Sequence, residues 1–179
     1  MSEIAKKYRR GHRLFIAGLL EMQPDRKFYP DANFTMRLTY GQVLPYRPAD
    51  GVIYDYYTTL DGVIAKEDTS NPMEFTVPEK LKELYRAKDF GQYAEEGTVR
   101  VGFLSNNDIT GGNSGSAMFN AKGELLGLAF DGNWEAMSSD IVFEPDLQRC
   151  IGVDVRYMLF IMEKYGKAGN LVQELKIKE

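Results

Sequence analysis

From residue 105 to residue 117 the chain runs Ser105, Asn106, Asn107, Asp108, Ile109, Thr110, Gly111, Gly112, Asn113, Ser114, Gly115, Ser116, Ala117. This is the one segment whose residue types and spacing could carry covalent chemistry. Glycines on either side of a hydroxyl let the backbone turn tightly, so that N–H groups converge on one spot beside it. Ser114 is therefore the candidate nucleophile, and the amides of Gly112 and Ser114 are candidate oxyanion donors. The same small polar residues also make ordinary loops. What favours the nucleophile is context: a strand before the loop, a hairpin after it, then a closing helix.

A serine nucleophile needs a base, and here the supply is short. The chain holds one histidine, His12, and one cysteine, Cys150. His12 stands among Arg9, Arg10 and Arg13 in a stretch of helical spacing, where it reads as a surface residue. Used as a base, it would make the chain a compact protease. One cysteine excludes an internal disulfide framework and a multi-thiolate zinc site, and no pattern calls for a metal or a cofactor. Lys and Arg number 22 against 26 Asp and Glu, a formal charge of −4. That leaves no general basic excess for nucleic acid or an anionic membrane. The apolar run Leu14–Leu20 is too short to span a membrane and lacks a cleavage site, so an amphipathic helix is expected there and no leader. With 179 residues, 44% hydrophobic and 27% charged, the composition is that of a folded domain of ordinary size.

The loop has to be held by its neighbours. Ile4, Tyr8, Phe15, Leu19 and Met22 recur at helical spacing over 3–22, and Gln23-Pro24-Asp25 ends that helix. From residue 34 the period becomes two. Phe34, Met36, Leu38 and Tyr40 alternate with Thr35, Arg37 and Thr39, which predicts a half-buried strand stopped at Gly41. Further strands are expected over 42–46, 52–59, 98–104, 116–121, 124–131, 141–144 and 149–153, with a tight turn at Asn120-Ala121-Lys122-Gly123. A helix should start at Thr76-Val77-Pro78-Glu79, with Pro78 early and Leu81, Leu84 and Tyr85 on one face. Another should begin at an Asp154 cap, with Val155, Met158, Leu159 and Met162 facing the core before Gly166. The tail over 176–179 should fray. The fold class is mainly β with flanking helices, a closed barrel or a sandwich.

Four strings make the reading more specific: Asn107 to Ser116, Gly127 to Glu135, Phe143 to Arg149, and Val153 to Tyr157. Together they resemble the C-terminal part of the bacterial serine dipeptidyl-peptidases, types 7 and 11, and are closer to type 7. Residues 28–60, with the string Tyr29 to Arg37, resemble that family's entry into its second barrel. The likeness covers most of the chain and is weakest over 61–95. It implies the second barrel of a chymotrypsin-like double β-barrel. Residues 1–27 would end an inserted helical domain, and 28–179 would form the C-terminal barrel with the nucleophile loop and closing helix. The implied activity is release of dipeptides from free peptide N-termini, in the periplasm or at the cell surface.

The resemblance also implies that the catalytic His and Asp lie in an N-terminal barrel outside this sequence. The isolated chain would then be inactive. Its partners would be that barrel and peptides with a free N-terminus, with homodimerisation left open. Carried over by position, Ser114 is the nucleophile and Gly112 an oxyanion donor. Asp131 holds the substrate's α-ammonium, and Gly132 leaves the P1 pocket open for aliphatic or aromatic residues. Arginine at that position goes with Asp and Glu instead. Asp108, six residues before Ser114, could suggest a trypsin-like acidic pocket floor, but its Asn-Asp-Ile-Thr string belongs to the general family motif. Trp134 is expected in the core or the pocket wall. Besides the compact protease, the residues leave one more alternative, a module that holds peptide N-termini through Asp131 without cleaving them.

Overall fold

Ser2 opens the first element. Its hydroxyl oxygen accepts the Ala5 N–H at 3.3 Å and caps helix α1 (Glu3–Met22). In this computed structural model, which describes residues 2–25, 35–139 and 142–178, the helix matches its expected span and passes through Gly11 and Gly18 without a break. It buries none of its residues, so the stripe that includes Ile4, Tyr8 and Phe15 is exposed. The chain divides into two units, residues 1–31 and 32–179, and α1 belongs to the first.

The second unit is built on antiparallel strands. A hairpin pairs β1 (Tyr46–Ala49) with β2 (Val52–Tyr54). Five more strands form one sheet: β3 (Tyr57–Thr59), β4 (Arg100–Ser105), β5 (Ala117–Phe119), β6 (Leu125–Gly132) and β7 (Cys150–Asp154), in the order β3-β4-β7-β6-β5. The expected run over 52–59 is thus two strands, parted at Asp55 and Tyr56. Between β5 and β6 the turn is as expected. Asn120 Oδ1 accepts the N–H groups of Lys122 at 2.9 Å and Glu124 at 3.0 Å, and Gly123 takes φ 77°. Among the described residues no ladder joins β3 to β5, so the sheet is open. The architecture is mainly β with several helices.

Three strand expectations fail. Of the run expected over 42–46, Val43 makes only an isolated bridge to Ser105 and Tyr46 opens β1. Residues 142–144 are irregular, and Ile141 lies outside the described residues. Of the run expected over 34–40, Phe34 lies outside them too, and 35–40 joins no ladder. There the alternation is real but its faces are reversed. Met36, Leu38 and Tyr40 are exposed, while Arg37 and Thr39 turn inward. The reason is electrostatic: Arg37 is ion-paired with the buried carboxylate of Asp108, and a buried carboxylate needs a partner more than an apolar side chain needs cover.

Helices close the other side of the core: α2 (Leu60–Ala65), α3 (Glu79–Ala87), α4 (Val155–Phe160), which continues as a π-helical turn over Ile161–Tyr165, and α5 (Gly169–Val172). Leu60, Leu81, Phe90, Val99, Leu159 and Phe160 pack together, with Phe160 fully buried and its ring 6.1 Å from that of Phe90. Pro78 is the N-cap of α3, within the expected start. Asp154 caps α4 by accepting the Arg156 N–H at 2.9 Å. Short α2 and α5 leave too little periodicity to be seen in the sequence. No helix among the described residues is long and apolar enough to cross a membrane.

Candidate active site

Strand β4 delivers the chain to the loop at Ser105, and β5 takes it back at Ala117. Between them lie two consecutive turns. The Asn113 N–H donates to the Thr110 carbonyl at 3.1 Å, and Asn113 Oδ1 accepts the Thr110 N–H at 3.0 Å. The Ser116 N–H then donates to the Asn113 carbonyl at 2.9 Å. Gly112 at φ 104° and Gly115 at φ 81° take backbone conformations that a side chain would strain. Two further bonds tie the loop to β6: Gly115 N–H to the Ala129 carbonyl at 2.7 Å, and Ala129 N–H to the Ser116 carbonyl at 2.8 Å. Ser114 therefore stands exposed on the second turn, three positions before β5. Among the described residues neither its N–H nor that of Gly112 has a protein acceptor.

The second part of the site comes from the end of β6. Ala129 pairs with Gly152 and Asp131 with Ile151, so Phe130 is the extra residue of a β-bulge. A bulge bends its strand and re-aims the side chains that follow. Asp131, exposed, accepts the Gly132 N–H on Oδ1 at 2.8 Å. Behind them Asn133 is buried and pairs on three sides. It exchanges hydrogen bonds with the backbone of Arg149 at 2.8 and 2.9 Å, and its amide donates to the Leu147 carbonyl at 2.8 Å. The buried guanidinium of Arg149 donates to the carbonyls of Pro145 at 2.6 Å, Gln148 at 2.8 Å and Pro45 at 2.9 Å. Loss of water around it lowers the Arg149 pKa from the usual arginine range. The strand end that carries Asp131 and Gly132 is thereby pinned to two other segments.

Loop and strand end meet in a cleft of about 210 Å³. Its walls are Ile109, Thr110, Gly111, Asn113 and Ser114 from the loop, Ala129 to Gly132 from β6, Ala136 and Met137 from the 3₁₀ turn that follows, and Asn133 and Ser139 that cap that turn. Three expected site residues, Ser114, Asp131 and Gly132, thus share one cleft, while Gly112 belongs to the loop without lining it. Gly132 is tightly placed: a Cβ there would stand 3.0 Å from the Ala136 Cβ. Trp134 is exposed and off the cleft, so it is neither core nor wall. Asp108 is buried against Arg37 and does not line the cleft either. His12 lies on α1, in the other unit, stacked on Tyr8 at 6.2 Å. No group of three His, Cys, Asp or Glu among the described residues could hold a metal ion. Sequence reasoning missed Arg37, Asn133, Ala136 and Met137, because nothing local marks a residue that acts by touching another part of the chain.

A serine loop and a carboxylate thus meet at one cleft on a mainly β scaffold. The chain belongs to the peptidase S46 family, whose model matches residues 1–177. It is 57% identical over 168 residues to Dipeptidyl-peptidase 7 of Porphyromonas gingivalis, covering 94% of this chain and 24% of that protein. It is 59% identical over 169 residues to Dipeptidyl-peptidase 7 of Phocaeicola vulgatus, covering 94% and 23%. The Asp/Glu-specific dipeptidyl-peptidase of Porphyromonas gingivalis is 52% identical over 169 residues, again 94% of this chain and 23% of the relative. A crystal structure of Porphyromonas endodontalis DPP11 in complex with the dipeptide Arg-Asp superposes with a TM-score of 0.82 at 44% identity, covering 92% of this chain and 24% of that one. The chain spans about a quarter of the length of the relatives it matches.

Proposed function

We propose that this chain is the C-terminal catalytic portion of a serine dipeptidyl-peptidase that releases dipeptides from free peptide N-termini, with apolar P1 residues preferred. The observation that carries the proposal is the shared cleft: Ser114, Asp131 and Gly132 come from two separate segments and line one cavity. In this reading Ser114 attacks the scissile carbonyl, and the amides of Gly112 and Ser114 receive the developing oxyanion. Asp131 pairs with the substrate's α-ammonium, a charge found only at a chain's N-terminus, and so sets the dipeptide register. Gly132 leaves the pocket uncharged, and Ile109, Ala136 and Met137 give it apolar walls.

The base and its orienting carboxylate belong, in this proposal, to the first barrel of a chymotrypsin-like pair in a periplasmic or cell-surface parent enzyme. Alone, the chain is inactive, because without an imidazole the Ser114 hydroxyl stays protonated and weakly nucleophilic. The test is a comparison of the full-length enzyme with its Ser114→Ala variant on dipeptide substrates, alongside the isolated chain. Turnover only in the unmodified full-length form is expected. Full-length turnover that survives Ser114→Ala overturns the proposal. So does turnover by the isolated chain that both Ser114→Ala and His12→Ala abolish.

A further inference from the structure

We propose that Arg37 is a positioning residue for Ser114, holding the nucleophile loop in its working shape; this rests on Ser114 being the nucleophile. Arg37 stands 71 residues before Asp108 and does not itself line the cleft. Its guanidinium makes an ion pair with the Asp108 carboxylate, the two side chains being 12% and 6% exposed. It also donates to the Asp108 carbonyl at 3.1 Å and to Asn113 Oδ1 at 3.4 Å. One planar fork therefore ties the base of the loop to the residue immediately before Ser114. Asn113 Oδ1 accepts the Thr110 N–H as well, so moving it would open the first turn and shift the Gly112 and Ser114 amides.

The segment after Arg37 continues the brace. Gly41 runs so close to the loop that a Cβ would stand 2.6 Å from Asn106 Oδ1 and 2.7 Å from the Asn107 nitrogen. The Gln42 N–H donates to Asn106 Oδ1 at 2.6 Å, the Asn106 N–H returns to the Gln42 carbonyl at 3.0 Å, and Val43 bridges Ser105. Stability alone gives no reason for the choice of residues, since an apolar pair of similar volume stabilises a buried site at least as well as an ion pair. What the guanidinium adds is direction, through several donors in one rigid plane.

The experiment uses the full-length enzyme, with active sites counted by fluorophosphonate labelling carried to completion. Arg37→Ala should lower kcat per labelled site by about 10²-fold, the cost of a misplaced reacting group, while KM stays within about threefold. Added guanidinium should restore kcat about tenfold or more, and methylammonium, which lacks the fork, should not. A purely structural role would reduce the number of labelled sites and leave kcat per site intact. If Arg37→Ala does not fold, Asn113→Ala replaces it, with a fall in kcat per site of about tenfold or more expected. An unchanged kcat per site in the variant tested overturns the inference, as does a loss in Arg37→Ala that guanidinium and methylammonium restore equally or not at all. Ser114→Ala separates the two levels. If that variant keeps turnover, the nucleophile reading falls; if it is dead and Arg37→Ala is fully active, only the positioning role falls.

Discussion

Replacing Gly132 by arginine changes the cleft in two ways at once. The first is crowding. The new Cβ would stand 3.0 Å from the Ala136 Cβ, so the turn Trp134–Ser138 has to give by a few tenths of an ångström. Overpacking of this kind costs about 1–3 kcal/mol. The second is chemical: a long cationic side chain enters a cavity of about 210 Å³. Leu or Phe at P1 would lose the burial of its side chain, worth about 1.5–3 kcal/mol, or roughly 10- to 150-fold in kcat/KM. Asp or Glu at P1 would gain a charge-assisted hydrogen bond of about 1.5–3 kcal/mol. Crowding acts on both substrate classes, so the preference should swing by roughly 3–6 kcal/mol towards acidic P1 while the overall rate falls. Ala136→Gly removes the methyl group that the Cβ meets, so the double variant should recover rate and keep the inverted preference. The assay is kcat/KM in the full-length enzyme for substrates differing only at P1, across the parent, both single variants and the double. The reasoning is refuted if arginine lowers every substrate equally, or if the parent already prefers acidic P1.

In the same full-length enzyme, Asp131→Asn should weaken free-amine substrates by about 2–5 kcal/mol relative to N-acetylated ones, the usual cost of truncating one partner of a close charge pair; equal losses would remove Asp131 from the amine site. Phe160→Ala should lower the stability of the chain by about 3–5 kcal/mol in urea unfolding, since Phe160 is fully buried against Phe90 and Tyr157. A change below about 1 kcal/mol would mean that this core is not packed as described. Burial pushes the Cys150 thiol from its ordinary value near 9 up to about 11. The fold thus favours the protonated form, so this stabilisation is complete below the unfolded value and is lost as pH rises through the folded one. Unfolding free energies should fall across that window by roughly 2–3 kcal/mol more in the parent than in Cys150→Ala, and parallel pH slopes would contradict it.

Features set within a few residues could be read directly from the sequence. The 3–22 helix, the Asn120–Gly123 turn and the Asp154 cap depend on local spacing and on side chains bonding their own backbone, and all three stand where expected. The loop around Ser114 was legible for the same reason, because Gly112 and Gly115 mark the positions where the backbone must turn through positive φ. What the sequence left open were choices between distant partners. The alternation over 35–40 marks two faces but not which one is buried. The Arg37–Asp108 ion pair, 71 residues apart, decides that Met36, Leu38 and Tyr40 face outward. Whether the strands closed into a barrel was equally a matter of register, and the described strands stop at an open sheet. The bulge at Phe130 exists only because β6 meets β7 out of step, and it aims Asp131 and Gly132 into the cleft with Ser114. Ala136 limits Gly132 only after the 3₁₀ turn folds back over β6. Backbone propensity acts over one or two turns of chain, whereas a buried charge or a misaligned ladder is satisfied by whatever the fold brings near. For that reason the serine loop could be read in the sequence, and the cleft around it was decided by the tertiary structure.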